Sequence, residues 1–200
     1  SSDLREIYLV FFCGKKGKIS MKATRHNGRS GKHGTCDAEH NDRRFDVENS
    51  EHIDAERTKM NVYWDCYQGY SLPNDKDERA RFTFTEIEKA YYVEKYSDHV
   101  DSQNERNRKA RHYDRVKTID AILENNKTCP EETLLQLGNM DRAVSADVLA
   151  KVSAEYFEEF NRRYGSHVHI LDWALHLDEA TPHIHERHVF DRSEERRVGK

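Results

Sequence analysis

The segment HLDEATPHIH, residues 176–185, places three imidazoles and two carboxylates within ten positions. In an extended strand, residues i and i+2 point to one face, about 6.6 Å apart along the chain. His183 and His185 therefore present two rings side by side, with Ile184 turned into the core behind them. His176 ends the preceding apolar run, just across the turn. Three imidazoles can converge on one divalent cation, with zinc, manganese, nickel and iron all suited to such donors. Three protein ligands also leave coordination positions open for substrate and water, as in catalytic rather than structural sites. Asp178 and Glu179 lie on the turn, in reach as orienting groups or as a base. The competing reading is a surface hairpin with solvated histidines. His167, His169 and His188 are expected to be packing or surface residues.

A second pattern occurs twice. RHNGR (25–29) and EHNDR (39–43) both contain His-Asn-x-Arg. Arginine offers a planar fork for a phosphate, and a neutral histidine can attack phosphorus or shuttle a proton. A metal, a histidine nucleophile and an arginine would together make a phosphoryl-transfer site. The pattern alone leaves His26 and His40 both open, and two plain basic loops would look the same. Tyr63, Tyr67 and Tyr70 are rival nucleophiles.

The elements that must position these groups follow from periodicity. HVHILDWALHL reads as a buried strand, DEATP as a turn and HIHERHVF as a second strand, together an antiparallel hairpin. Residues 145–165 read as a helix, capped by Ser145, with Val148, Val152, Tyr156 and Phe160 on one face, Arg162 and Arg163 at its negative end and Gly165 closing it. A long helix is predicted over residues 83–115, with Thr85 and Glu88 as a capping box, Ile87, Tyr91, Val93, Tyr96 and Val100 on its apolar side and a polar, basic second half. NVYWDCYQGY (61–70) is strand-like and SLPNDKDERA (71–80) a polar loop. CPEETLLQLG (129–138) reads as a short helix between Pro130 and Gly138, and residues 21–52 as loop with short strand pieces.

Composition narrows the partners. At 36% hydrophobic and 35% charged residues the chain is polar, with no run near the roughly 20 apolar residues of a membrane span. The run IYLVFFC (7–13) is too short and lacks a signal peptide's flanks. Cys13, Cys36, Cys66 and Cys129 are scattered, as expected of reduced thiols in a cytoplasmic protein. The net charge of −4 argues against nucleic acid, but its distribution argues for it. Residues 21–44 carry six Lys or Arg against three acids, and residues 105–117 carry six against two. Such patches make phosphate-binding surfaces, although two solvated polar segments would carry the same charges.

In order along the chain, HNDRRF, HIDAERTKMN and HLDEATPHIH resemble the Mob/Pre plasmid mobilisation and recombination proteins, the MobV class of relaxases. The stretch from Glu105 to Gly138 is similar to one subgroup of them. The resemblance spans about Met21 to Asp191. It implies an α+β fold like that of the HUH endonucleases: an antiparallel sheet with helices packed on one side and the metal on the central strands. It implies nicking of one strand of plasmid origin DNA, single-stranded or hairpin, through a covalent protein–DNA intermediate, and other mobilisation proteins as further partners. Carried over, His176, His183 and His185 match the metal ligands, for manganese or magnesium with zinc as alternative. Glu179 matches an acidic residue beside the metal, His40 the nucleophile and Arg43 its arginine. His40 is preferred to His26 because it stands thirteen residues before Ile53, the spacing of that family. Arg25, Arg29, Arg43, Arg44, Arg106, Arg108 and Arg111 are the candidate DNA contacts. Residues 1–20 and 192–200 are expected to lie outside the domain, which would then be a truncated relaxase. The rival expectations are a DNA-binding module without cleavage and a metal-binding protein of unrelated chemistry.

Overall fold

A computed structural model of the chain describes residues 5–12, 18–29, 37–71, 82–138 and 144–190; before residue 26, and at residue 29, it describes backbone alone. In chain order the elements are β1 (Arg5–Phe12), β2 (Lys18–Arg29), α1 (Ala38–Asn41), β3 (Val62–Asp65), β4 (Gly69–Ser71), α2 (Phe84–Lys109), α3 (Ile119–Leu123), β5 (Glu131–Leu137), α4 (Ala146–Tyr164), β6 (Val168–His176) and β7 (His183–Phe190). The strands form one sheet in the order β1-β2-β5-β7-β6-β3-β4, antiparallel at every pairing. The chain is thus an α+β protein. The β6–β7 hairpin predicted from alternation is present and occupies the middle of the sheet.

The helices do not share one side, as the resemblance implied. Leu149 and Phe157 of α4 pack on Trp173, Leu175 and Ile184. Tyr91 and Tyr92 of α2 pack on Leu171 and Val189, and Phe84 on Tyr63 and Ala174. Successive strand residues face opposite ways, so Ala174 and Leu175 open onto different faces, and each face has its own helix. The physical reason is that β6 and β7 are buried on both sides. The face that holds the metal-type histidines also carries Arg187, which pairs with Glu88 of α2 and with Glu132 of β5.

Several local expectations are corrected. Residues 131–137 form strand β5, not a helix, and fill the gap between β2 and β7. Seven residues are too few for periodicity to separate the two states, and the sheet's open backbone groups decide. Of residues 21–52, expected to be loop with short strand pieces, residues 21–29 belong to the twelve-residue strand β2. β1 falls within residues 1–20, the stretch set outside the domain, yet its backbone is paired along β2. The capping box of α2 is Thr83 with Glu86, two residues before the predicted pair. Thr83 is the extended residue there, and Glu88 is occupied by Arg187. The buried stripe of α4 is Leu149, Ser153 and Phe157. Val152 and Tyr156 lie at its flank, and Val148 is exposed. Both stripes have the same i, i+4 spacing, so only the sheet selects one. Ser145 holds the N-cap position but makes no side-chain cap bond, and Gly165 ends α4 with a right-handed φ of −60°. A Cβ there would lie 2.4 Å from the Asn161 carbonyl oxygen, so close approach, not a left-handed turn, requires glycine.

In α2, Ile87, Tyr91, Tyr92 and Val100 are buried while Val93 is exposed. Asn104 is the buried exception in the polar second half, and its side chain bonds the backbone of Lys117 in both directions, at 2.8 and 2.9 Å. This folds the chain back so that α3 packs on α2. Most of the loop expected over residues 71–80, the 192–200 tail, Cys13 and Cys36 lie outside the described residues. Of the other two cysteines, Cys66 is exposed and Cys129 buried. No helix among the described residues is long and apolar enough to cross a membrane.

Candidate metal centre and nucleophile

His176 and His183 are direct cross-strand partners, and His185 follows on the same face of β7. Their ring centroids are 5.3 Å (His176–His183), 5.0 Å (His176–His185) and 5.0 Å (His183–His185) apart. Each ring can offer a nitrogen within 4.8 Å of the other two. The other nitrogen of each ring is already engaged. His176 Nε2 donates to the Asn41 carbonyl at 2.8 Å, His183 Nδ1 to the Thr181 carbonyl at 2.8 Å, and His185 Nδ1 to Glu132 Oε1 at 2.8 Å. A carbonyl or carboxylate oxygen can only accept, so these partners fix the tautomers. The lone pairs left over are His176 Nδ1, His183 Nε2 and His185 Nε2.

The donor set fits a divalent cation. His176 Nδ1 is buried and has no hydrogen-bond partner, a state that costs about 1–3 kcal/mol unless something occupies the lone pair. Burial, then the positive charge of Arg43 and the neighbouring His185, holds the His176 imidazole well below its usual pKa. Burial, then His185, also lowers the pKa of His183. Neutral rings are what a metal requires. Glu179 Oε1 lies 3.9 Å from His176 Nδ1 and 3.8 Å from His183 Nε2, near enough to supply an oxygen ligand or a base. The Thr-Pro at the turn has a local purpose: the Thr181 carbonyl sets the tautomer of His183, and Pro182 restricts the backbone that delivers it.

His40 reaches this centre from α1. Its ring is 6.1 Å from His176 and 5.9 Å from His185, edge-on to both, and lies between Phe45 and His52 at 5.5 and 6.1 Å. Arg43 Nη1 contacts His40 Nε2 at 3.2 Å. Arginine can only donate, so Nε2 carries a lone pair. Burial, then the charges of Arg43 and His185, lowers the His40 pKa and keeps the ring neutral.

The next three residues anchor α1 to three separate elements. Asn41 bonds Glu132 of β5, Asp42 accepts the Phe84 amide at the start of α2, and Arg43 holds the β6–β7 turn. Arg43 does so with φ of 58°, a left-handed conformation costing roughly 1–2 kcal/mol for a non-glycine residue. Its Nε and Nη2 donate to Asp178 at 3.0 and 2.9 Å, Nη2 also to Glu179 at 2.7 Å, and Nη1 to the His40 carbonyl at 3.0 Å. With the His40 Nε2 contact, all five N–H groups are used. Arg43 is therefore a buried hub rather than the phosphate contact expected of it.

The other candidates divide. His26 stands in β2 opposite Leu134, which in turn pairs with His185. It is thus two strands, about 10 Å, from the triad, and among the described residues no metal-capable group includes it. Arg25 and Arg29 are in β2, but their side chains are outside the described residues. Arg44, Arg106, Arg108 and Arg111 are exposed. The last three sit at or just beyond the far end of α2, Arg106 roughly 33 Å along the helix from Phe84, so they do not share the histidine site. Tyr63 is buried, Tyr67 bonds Glu94, and Tyr70 packs against Trp173. His188 is buried against Glu186, as expected of a packing residue. Sequence reasoning missed Asn41, His52, Asn61 and Glu132. The buried Asn61 accepts from the Leu177 amide at 2.8 Å and donates to Asp178 at 2.7 Å. Its only signal was its place at the end of HIDAERTKMN.

No family model, no curated protein and no solved structure matches the chain.

Proposed function

We propose that the chain is a metal-dependent DNA-nicking and rejoining enzyme of the plasmid-mobilisation type, similar to the Mob/Pre relaxases its motifs resemble. The observation that carries this reading is the neutral imidazole of His40, with its Nε2 lone pair, held edge-on to His176 and His185. A nucleophile beside an incompletely filled metal centre suits phosphoryl transfer better than storage or structure.

His176, His183 and His185 would hold the ion, manganese or magnesium by preference and zinc as the alternative, with Glu179 as oxygen ligand or base. When bound, the ion polarises a phosphate oxygen of the scissile bond. For His40 Nε2 to attack phosphorus, the Arg43 Nη1 hydrogen bond on its lone pair is released. An N–P bond then forms, the P–O bond breaks, and its electron pair leaves with the oxygen, which takes a proton from water. The hydroxide left takes the Nδ1 proton that the phosphorylated imidazole gives up. Rejoining is the reverse. Arg43 keeps Nε2 unprotonated and fixes the ring through Asp178 and Glu179, so its effect on the reaction runs through His40.

The test is incubation with supercoiled and single-stranded origin DNA, with and without manganese. Metal-dependent nicking with protein attached to one end supports the proposal. Retention without cleavage would favour a DNA-binding module, and metal uptake without DNA affinity another chemistry. The exposed arginines give a second expectation. Reversing Arg106, Arg108 and Arg111 to Glu should weaken DNA binding and flatten its salt dependence, by about 0.9 in log–log slope for each phosphate no longer neutralised. An unaltered slope in a binding titration would mean that this end of α2 faces away from DNA.

A further inference from the structure

We propose that Asn41 is a positioning residue that couples occupancy of the metal centre to the placement of the His40 helix; the inference rests on the triad being the metal site, not on the nicking reaction. The four-residue α1 is far too short to hold itself in place by its own backbone bonds. Asn41 is 1% exposed and reaches two of the three ligands. Its carbonyl receives His176 Nε2–H at 2.8 Å. Its side-chain Nδ2 donates at 2.8 Å to Glu132 Oε2, whose other oxygen receives His185 Nδ1–H at 2.8 Å. One residue, next in sequence to His40, thus sets the tautomer of one ligand directly and of a second through one carboxylate.

The amide is not there for its own stability. Its Oδ1 is buried without a hydrogen-bond partner, a cost that an apolar residue of similar shape would avoid. An aspartate would set a second carboxylate against Glu132. The amide donates to Glu132 through Nδ2 while the backbone carbonyl of the same residue receives His176.

A cation on His176 Nδ1 and His185 Nε2 draws electron density from both rings. Their remaining N–H groups become stronger, charge-assisted donors to the Asn41 carbonyl and to Glu132. Metal binding therefore tightens the His176 bond that seats α1 directly and braces Glu132, whose other oxygen holds Asn41 Nδ2, and so fixes His40. Linkage makes the effect reciprocal: a seated α1 must raise metal affinity by the same factor.

The experiment uses the full chain and Mn2+ alone, with no DNA. Calorimetric titration should show Asn41→Ala binding Mn2+ 10–100-fold more weakly than wild type, the range found when a group orienting a ligand is removed. Hydrogen exchange at the amides of residues 38–43 should slow on Mn2+ saturation in wild type and slow much less in Asn41→Ala, which keeps the backbone carbonyl that receives His176 but loses the link to Glu132. A residue that merely filled space would leave this metal-dependent protection in place. If Asn41→Ala does not fold, Glu132→Ala breaks the same link from the other end, by removing the acceptor of both Asn41 Nδ2 and His185 Nδ1. It should likewise weaken the metal-dependent protection. Wild-type affinity in Asn41→Ala, or exchange at residues 38–43 that Mn2+ does not change in wild type, would overturn the coupling. No Mn2+ uptake by wild type would overturn the triad and the coupling together. Coupling without any nicking would leave this inference standing and remove the relaxase reading.

Discussion

His183→Ala is expected to lower manganese or zinc affinity by more than a hundredfold, with His185→Ala close behind. Loss of a group that only orients a ligand already costs 10–100-fold, and here a ligand itself is removed. The three rings are held before the ion arrives, each by a hydrogen bond on its other nitrogen, so little of the binding free energy goes into ordering them. That preorganisation also makes the loss large, because the two remaining rings cannot swing to compensate without breaking those bonds. Calorimetric titration reads the effect directly. Unchanged affinity in both variants would mean that the ion, if bound, sits elsewhere, for instance among His40, His52 and Glu179, the neighbouring group with suitable donor atoms.

His40→Ala is expected to abolish the covalent DNA adduct while leaving the triad able to bind metal. The adduct should be a phosphoramidate, labile to acid where a tyrosine ester survives. Tyr63, Tyr67 and Tyr70 are poorly placed: one is buried beside Phe84, one is bonded to Glu94, and one lies against Trp173 on the sheet's other face. The neutral ring must attack, so activity should be flat at neutral pH and fall as pH drops through the His40 pKa. Burial and Arg43 put that pKa below the ordinary 6.5, and a midpoint above 6.5 would contradict the geometry. Trapping the DNA-bound protein and mapping the modified peptide decides the assignment. An adduct on a tyrosine or on His26, or full activity in His40→Ala, would sink it.

How much of this was legible in the sequence depends on the reach of each interaction. The triad could be read because it is local: two histidines two apart in a strand and a third across a short turn are brought together by strand periodicity and the hairpin alone. The core helices α2 and α4 could be read because their apolar spacing repeats over many turns. β5 could not. Seven residues between a proline and a glycine fit a helix as well as a strand, and only the vacant place between β2 and β7 makes the choice.

The role of Arg43 was equally out of reach. Arg43 and Asp178 are 135 positions apart and Asn41 and Glu132 are 91 apart, and nothing in either neighbourhood announces the other. His-Asn-x-Arg suggested a nucleophile with a phosphate clamp. The tertiary structure turns that arginine inward, because a turn carrying two buried or half-buried carboxylates beside three imidazoles needs a cation to balance it. By itself the sequence determined which side chains could bind a metal and which could attack. The fold decided that His40 rather than His26 stands beside the three imidazoles that could hold a metal, since that depends on which loop the sheet order sets against β6 and β7.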